Sequence, residues 1–411
     1  MPFSSVDPGS ASFLDCVFTA TSAVCVTGLV VRDTATYWTS FGQFIILILI
    51  QIGGLGVITF TAAIALLSRK KIDFFARNTM QEAMSAPKVG GIVRLTSFII
   101  KATALIEGTG FVLLLPIMCK EFGIAGIWYA LFHSISAFCN AGFDLMGIRG
   151  HFSSLTAFYS NIPLNFTIMA LIVLGGLGFL TYEDIQRNGF RFKKYSLQSK
   201  VIITTSAILV FVPALIFYLF EFKNLTFQDR ILTSLFQSVT ARTAGFNTFD
   251  FMKMSESGLG VMILLMIVGG SPGSTAGGMK TTTLAILFFS MSSTFKKSKD
   301  VEAFGRRIDD DTVYKATTLG FLYLVLFFVT GFIISAVEGL PLVYCLFETA
   351  SAIGTVGLTV GITPTLGLFS RVILMMLMFF GRIGGLTLFF ALNTKSGTPE
   401  RRYPVENISV G

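Results

Sequence analysis

Four phrases in the chain end on a glycine amid similar small and hydroxyl residues. They are FTATSAVCVTGL (Phe18–Leu29), FHSISAFCNAGF (Phe132–Phe143), FQSVTARTAGF (Phe236–Phe246) and FETASAIGTVGL (Phe347–Leu358). In three of them Phe stands ten residues before the glycine, and Ser-Ala six and five before it; the third phrase is one residue shorter and carries Thr-Ala. The glycines, Gly28, Gly142, Gly245 and Gly357, are 114, 103 and 112 residues apart. Glycine accepts dihedrals that a Cβ resists, so its carbonyl can turn inward at a loop bend. Four such loops around one axis would present rings of backbone oxygen able to recoordinate a dehydrated monovalent cation. Asp33, Asp144 and Asp250 follow three of the glycines closely. They read equally well as acids that enrich cations at a mouth and as ordinary solvated loop acids.

The elements that must hold these loops lie in an apolar chain. Of 411 residues, 53% are hydrophobic and 13% charged, about half the charge of a soluble domain. That composition specifies a polytopic membrane protein of all-α class. Apolar runs at 41–67, 92–118, 163–182, 198–220, 258–290, 315–337 and 367–392 are each long enough to span a bilayer, and the run at 258–290 is interrupted by Gly, Ser and Pro. Four shorter stretches, 12–24, 127–139, 230–241 and 341–353, begin near Ser12, Gly126, Asp229 and Pro341 and run into the glycine phrases. Short helix, glycine loop and return describe a re-entrant loop, which membrane-depth backbone tolerates where it is buried or lines a water-filled path. Basic residues concentrate in the linkers at 69–101, 187–200 and 296–315 and in the tail. If the short stretches are re-entrant, these regions share one face, expected to be cytoplasmic. The net charge of +8 then reflects membrane orientation, not nucleic acid as a partner. The five cysteines form no CxxC pair and read as free thiols.

A second landmark follows each glycine: Gly53-Gly54, Gly175-Gly176, Gly269-Gly270 and Gly384-Gly385, most simply read as close helix packing. The two landmarks in register predict four covalent span–pore-loop–span units around a pseudo-fourfold pore. Their bounds are 1–68 (loop and second span only, the first span absent from this chain), 92–186, 198–295 and 315–395, with a cytoplasmic tail at 396–411.

VGGSPGSTAGGMKTTT (Val268–Thr283) breaks the second span of the third unit. Gly273 and Gly278 are spaced as in a nucleotide-binding loop, but Met279 stands where its lysine belongs, and Lys280 comes one position late. The better reading is a flexible gate loop, comprising Gly269, Gly270, Ser271, Pro272, Gly273, Ser274, Thr275, Ala276, Gly277, Gly278 and the anchoring Lys280. Arg382 lies within the last span, where an unpaired charge is expensive; it is expected to pair with loop carbonyls or an acid, or to hinder cations as part of the gate. Arg242, three before Gly245, is expected to brace that loop through its carbonyls. Intramembrane hydrolysis has no plausible His or Asp partner for the serines. A coupled secondary transporter remains the alternative, with Glu107 as its test, since few carboxylates lie in the spans.

The TVGL of Thr355–Leu358 resembles the TVGYG loop of potassium channels. The four phrases, the broken span and GRIGGLT (Gly381–Thr387) resemble the Trk/Ktr/HKT superfamily of potassium transporters, specifically the Ktr-type membrane subunit, over nearly the whole chain. The resemblance implies four linked channel-like units with one filter glycine each, a non-enzymatic role and an intramembrane gating loop. In the family, glycine in all four filters goes with potassium, whereas serine in the first is associated with sodium uptake in plants; Gly28 therefore implies potassium. The coordinating carbonyls would belong to Val26-Thr27-Gly28, Asn140-Ala141-Gly142, Thr243-Ala244-Gly245 and Thr355-Val356-Gly357. The implied setting is the plasma membrane. The implied assembly is a homodimer on a cytoplasmic ring of nucleotide-binding regulatory subunits. Potassium is the transported ion, no covalent cofactor is implied, and sodium dependence stays open.

Overall fold

The computed structural model describes residues 2–7, 10–56, 92–384, 404 and 406. The expected span beyond residue 56, the basic linker up to residue 91, Gly385 and nearly all of the 396–411 tail lie outside them. Among the described residues the regular secondary structure is helical, apart from isolated bridges and a hairpin pairing Glu302–Ala303 with Arg306–Arg307.

Four short helices precede the glycine loops: α1 (Phe13–Cys25), α4 (Ala125–Phe138), α8 (Phe227–Thr240) and α12 (Leu342–Gly354). Ser12 caps α1 by accepting from Asp15 N–H, and Pro341 stands at the N-cap of α12. The other two starts differ from expectation. Thr226, not Asp229, caps α8, and its hydroxyl donates to the Asp229 carboxylate at 2.7 Å. The α4 helix has no side-chain cap because it turns directly off the preceding helix at Gly123.

The longer elements are α2 (Ser40–Leu55), α3 (Ile92–Phe122), α5 (Ile162–Gly176), α6 (Phe179–Asn188), α7 (Leu197–Ile216), α9 (Glu256–Ile267), α10 (Thr281–Phe295), α11 (Asp310–Glu338) and α13 (Leu368–Ile383). Among the described residues, α3, α7 with its π-turn extension, and α11 are individually long and apolar enough to cross a membrane. They expose Val112, Phe211 and Phe321 outward, a surface suited to lipid and costly in water.

The 163–182 run is not one straight span. It bends by 95° between α5 and α6, and the reason lies over 90 residues away. Gly175 and Gly176 carbonyls accept from Thr275 and Ser271 N–H at 3.2 and 3.0 Å, and Phe179 N–H donates to the Gly273 carbonyl at 2.8 Å. Two interrupted helices thus satisfy each other's orphaned backbone groups, which an apolar interior requires.

The phrase phenylalanines, Phe18, Phe132, Phe236 and Phe347, are fully buried, and they seat the short helices in two adjoining cores. The α4 helix packs on α2, α8 on α5, α12 on α9 and α1 on α13. These contacts step from each short helix to a long element earlier in the chain and close on themselves. At the closing seam, buried Asp15 of α1 binds Arg32 Nε and Arg371 Nη1 of α13, each at 3.0 Å. Removing one partner of such a pair strands a buried charge.

Candidate functional site

The Ser of each Ser-Ala pair does two local jobs. Its carbonyl accepts from the residue before the glycine: Thr27 N–H to Ser22, Ala141 N–H to Ser136 and Val356 N–H to Ser351, all at 2.8 Å. This closes the helix end in the manner of a Schellman turn. Its hydroxyl then holds the loop. Ser22 and Ser351 accept from Gly28 and Gly357 N–H at 3.1 and 3.0 Å, whereas Ser136 donates to the Phe143 carbonyl at 2.7 Å and Thr240 to that of Phe246. The shorter third phrase ends differently, with Thr243 and Ala244 N–H both turned to the Thr240 carbonyl.

Beyond each helix, φ is positive two residues before the glycine (Val26 57°, Asn140 58°, Thr243 131°, Thr355 52°) and again at the glycine (Gly28 89°, Gly142 67°, Gly245 80°, Gly357 91°). The residue between has ordinary φ. Such alternation turns successive carbonyls toward the same side, and its strain is least where glycine supplies it.

The glycines meet in a closed ring. A Cβ on Gly28 would strike the Ala141 carbonyl oxygen, one on Gly142 that of Ala244, one on Gly245 that of Val356 and one on Gly357 that of Thr27, all within 2.6 Å. Each loop therefore lies against the next, and the fourth against the first. Only hydrogen fits at these four positions.

On one side of the ring opens a cavity of about 200 Å³. All four glycines line it, together with Asp33, Asp144 and Asp250. The three acids also serve the loops. Asp33 accepts from Ala35 and Thr36 N–H and, across the unit boundary, from Phe152 N–H at 2.8 Å. Asp144 accepts from Met146 N–H and Asp250 from Met252 N–H. Burial pushes the Asp144 carboxyl up to about 6; the Met146 N–H opposes this shift and the Asp33 charge adds to it.

The residue after each phrase phenylalanine escaped sequence reasoning because its type changes: Thr19, His133, Gln237 and Glu348. Three of them reach the segment leaving their own glycine. His133 Nε2 accepts from Leu145 N–H, Gln237 donates to Thr248, and Glu348 accepts from Val360 N–H and the Thr363 hydroxyl. Thr19 instead donates to the Asp15 carbonyl. A polar letter at that one position in all four phrases was the available signal.

The loop of residues 268–280 adjoins the second and fourth glycine loops at the residue two before the glycine, Asn140 and Thr355. Gly269 N–H donates to the Met279 carbonyl, Gly270 N–H to Gly277, and the Ser274 hydroxyl to Ser271. Pro272 and Gly273 face Gly178 at the bend, and Lys280 Nζ donates to the Ala276 carbonyl at 2.9 Å. Gly277 lies against the Thr355 side chain, and Gly278 N–H donates to the Gly381 carbonyl. Arg382 donates to the carbonyls of Thr275, Gly53 and Gly54, joining this loop to the end of α2.

Two expectations are corrected. Arg242 meets no loop carbonyl; its Nη2 donates to the Ser206 hydroxyl of α7 at 3.3 Å, and its Nε has no partner. The repeat-four counterpart of Gly53 and Gly175 is Gly381 and not Gly384. A Cβ on Gly53, Gly175 or Gly381 would strike the carbonyl of Val24, Phe138 or Ile353, each four residues before its ring glycine, whereas Gly384 has nothing within 4 Å. Contact with the short helix sets that register, and the doubled letter does not.

Four glycine loops of a helical bundle thus meet in one ring, and comparison with known proteins places the chain among the cation transporters. The model of the family TrkH, cation transport protein, matches residues 4–398, so the chain belongs to the TrkH family, and within it the chain is a Ktr-type membrane subunit. It is 42% identical over 423 residues to the potassium/sodium uptake protein NtpJ of Enterococcus hirae, covering all of this chain and 92% of that one. It is 37% identical to the Ktr system potassium uptake protein B of Bacillus subtilis, with the same coverage. The crystal structure of the potassium transporter TrkH from Vibrio parahaemolyticus has the same fold, with a TM-score of 0.74 over 93% of this chain and 78% of that one, at 19% identity. Members of this family transport cations and are not enzymes.

Proposed function

We propose that the protein carries potassium into the cell across the plasma membrane through a channel-like pore. The ring of Gly28, Gly142, Gly245 and Gly357 acts as its filter, and the 268–280 loop as its gate. The observation that supports this best is the closed ring, in which every glycine is demanded by the carbonyl of the next loop. Carbonyls at and just before each glycine replace the hydration shell of the ion, and the C-terminal ends of the four short helices add partial negative charge. The four-unit division at 1–68, 92–186, 198–295 and 315–395, a homodimer, cytoplasmic linkers and a nucleotide-binding regulatory ring belong to the same reading. Potassium-limited growth of an uptake-deficient bacterium expressing the chain tests it; failure of the well-expressed protein to rescue growth would overturn it.

Coupling to protons or sodium is the alternative, and Glu107 tests the proton form. Its carboxylate accepts from Gln51 Nε2 at 3.3 Å and faces Cys139, behind the second glycine loop, and it does not line the cavity. Uptake by Glu107→Gln should therefore stay within about threefold of wild type, less than 1 kcal/mol. Abolished uptake in a correctly inserted protein would favour coupling.

External pH should act through Asp144. With its carboxyl titrating at about 6, the group is ionised at pH 7.5 and neutral at pH 5. The cavity then loses the Asp144 negative charge as pH falls. Uptake at low potassium should drop roughly two- to fivefold over that range, the scale of one unit charge acting through water. Asp144→Asn should remove this step, as read by initial rubidium influx. A step of undiminished size in the variant would assign it elsewhere.

A further inference from the structure

One side chain touches the glycine ring's supporting loops on one hand and the 268–280 loop on the other. Asn140 stands two residues before Gly142 with φ 58°, a left-handed conformation that Asn tolerates. Its Nδ2 donates to Thr275 Oγ1 at 3.0 Å, and its Oδ1 accepts from the hydroxyl of Thr243, two before Gly245, at 3.2 Å. The Thr275 hydroxyl proton has the Phe138 and Gly175 carbonyls as acceptors at 2.9 and 3.0 Å. Asn140, Thr243 and Thr275 are all buried, at 1%, 2% and 0% exposure. A single hydrogen-bond chain thus runs from the third glycine loop through the second to the intramembrane loop. The equivalent positions of the first and fourth units lack it. Val26 has no polar side-chain atom, and the Thr355 hydroxyl is buried without a partner although Gly277 lies beside it.

A buried donor that loses its best acceptor is destabilised, because no water replaces it. When the intramembrane loop leaves, the Asn140 amide loses Thr275. Its Nδ2 then keeps only the longer bond to the Phe138 carbonyl, at 3.4 Å, and tightening that bond turns the amide and weakens its bond to Thr243. Both residues sit directly before ring-forming carbonyls, so the oxygen positions of two of the four loops change with the loop. Arg382 also holds Thr275, but by the main-chain carbonyl, and its other hydrogen bonds go to the Gly53 and Gly54 carbonyls.

We propose that Asn140 is a positioning residue that couples the intramembrane loop to the ring, so that the Thr275–Asn140–Thr243 chain makes ion discrimination depend on whether the loop is seated. This rests on reading the ring as a filter and the loop as a gate. The test is potassium and sodium influx into proteoliposomes holding the full chain with the substitutions Thr275→Val, Asn140→Gly, both together, or Arg382→Gln. Glycine replaces Asn140 because it keeps the φ while deleting the amide. Thr275→Val, although outside the ring, should lower the potassium-to-sodium ratio at least threefold. Asn140→Gly should do the same, and the double variant should be no worse than the worse single one. Arg382→Gln should raise flux with the ratio kept. A ratio unchanged in Thr275→Val, or single effects that multiply in the double variant, overturns the coupling and leaves the gate reading standing if Arg382→Gln raises flux. A lowered, non-additive ratio with unchanged flux in Arg382→Gln keeps the coupling and overturns the gate reading.

Discussion

Replacing Gly357 with serine should abolish rescue of a potassium-uptake-deficient bacterium at low external potassium. Two effects act together. The residue holds φ 91°, which costs an L side chain roughly 1–2 kcal/mol. The larger effect is steric. Of the four ring glycines, Gly357 would bring its Cβ closest to the neighbouring oxygen, the Thr27 carbonyl, and also within 3.0 Å of Gly28 Cα. The chain cannot yield locally, because Val356 and Thr355 are tied back to Ser351 and Ala352. The displacement therefore falls on Thr27, so a substitution in the fourth loop damages the first. A loss of about 1.4–2.8 kcal/mol in cation coordination is a tenfold to hundredfold fall in discrimination. Gly176→Ala supplies the control, since nothing lies within 4 Å of its Cβ position; that variant should grow as wild type. Rescue by Gly357→Ser equal to wild type would remove the ring from the ion path.

What sequence could reveal here depended on how far apart the interacting residues are. The Ser of the Ser-Ala pair recurs because its carbonyl and hydroxyl act on backbone within seven residues. A local job with one chemical solution leaves a repeated letter. The starts and ends of the short helices are legible to within a few residues for the same reason. In three units the residue after the phenylalanine also acts on its own loop, but His, Gln and Glu all supply polar atoms, so no letter repeats. The bend at Gly176–Gly178 was invisible, since α5 alone reads as half of an ordinary span. Its cause is the backbone of Ser271–Thr275, another unit's interrupted helix. The doubled Gly384-Gly385 is the wrong landmark in the fourth unit, because the physical requirement is one missing Cβ facing the Ile353 carbonyl, which Gly381 meets. Arg242 sits in a glycine phrase, yet its partner, Ser206, lies 36 residues earlier on α7. Sequence placed that charge in the right loop without placing its contacts.

Deleting several residues from 271–279 should raise ion flux at least tenfold. The segment is held from three sides: by the bent span through Gly175, Gly176 and Phe179, by Asn140, and by Arg382 on the Thr275 carbonyl. Each neutral bond is worth about 1 kcal/mol net and the charge-assisted one about 1.5–3 kcal/mol. Together they outweigh the approximately 2.7 kcal/mol that holds a two-state element 99% in one state. A loop so held would stay seated until a partner supplies comparable energy. Shortening it removes both the obstruction beside Thr355 and the anchor of Arg382. The deletion also frees the Gly175 and Gly176 carbonyls at the bend, so membrane insertion must be verified beside flux. Arg382→Gln, which loses the charge-assisted bonds but keeps the loop, should move flux in the same direction by a smaller factor. Unchanged or lower uptake by the correctly inserted deletion variant would mean that the segment braces the bent span and does not obstruct the ion.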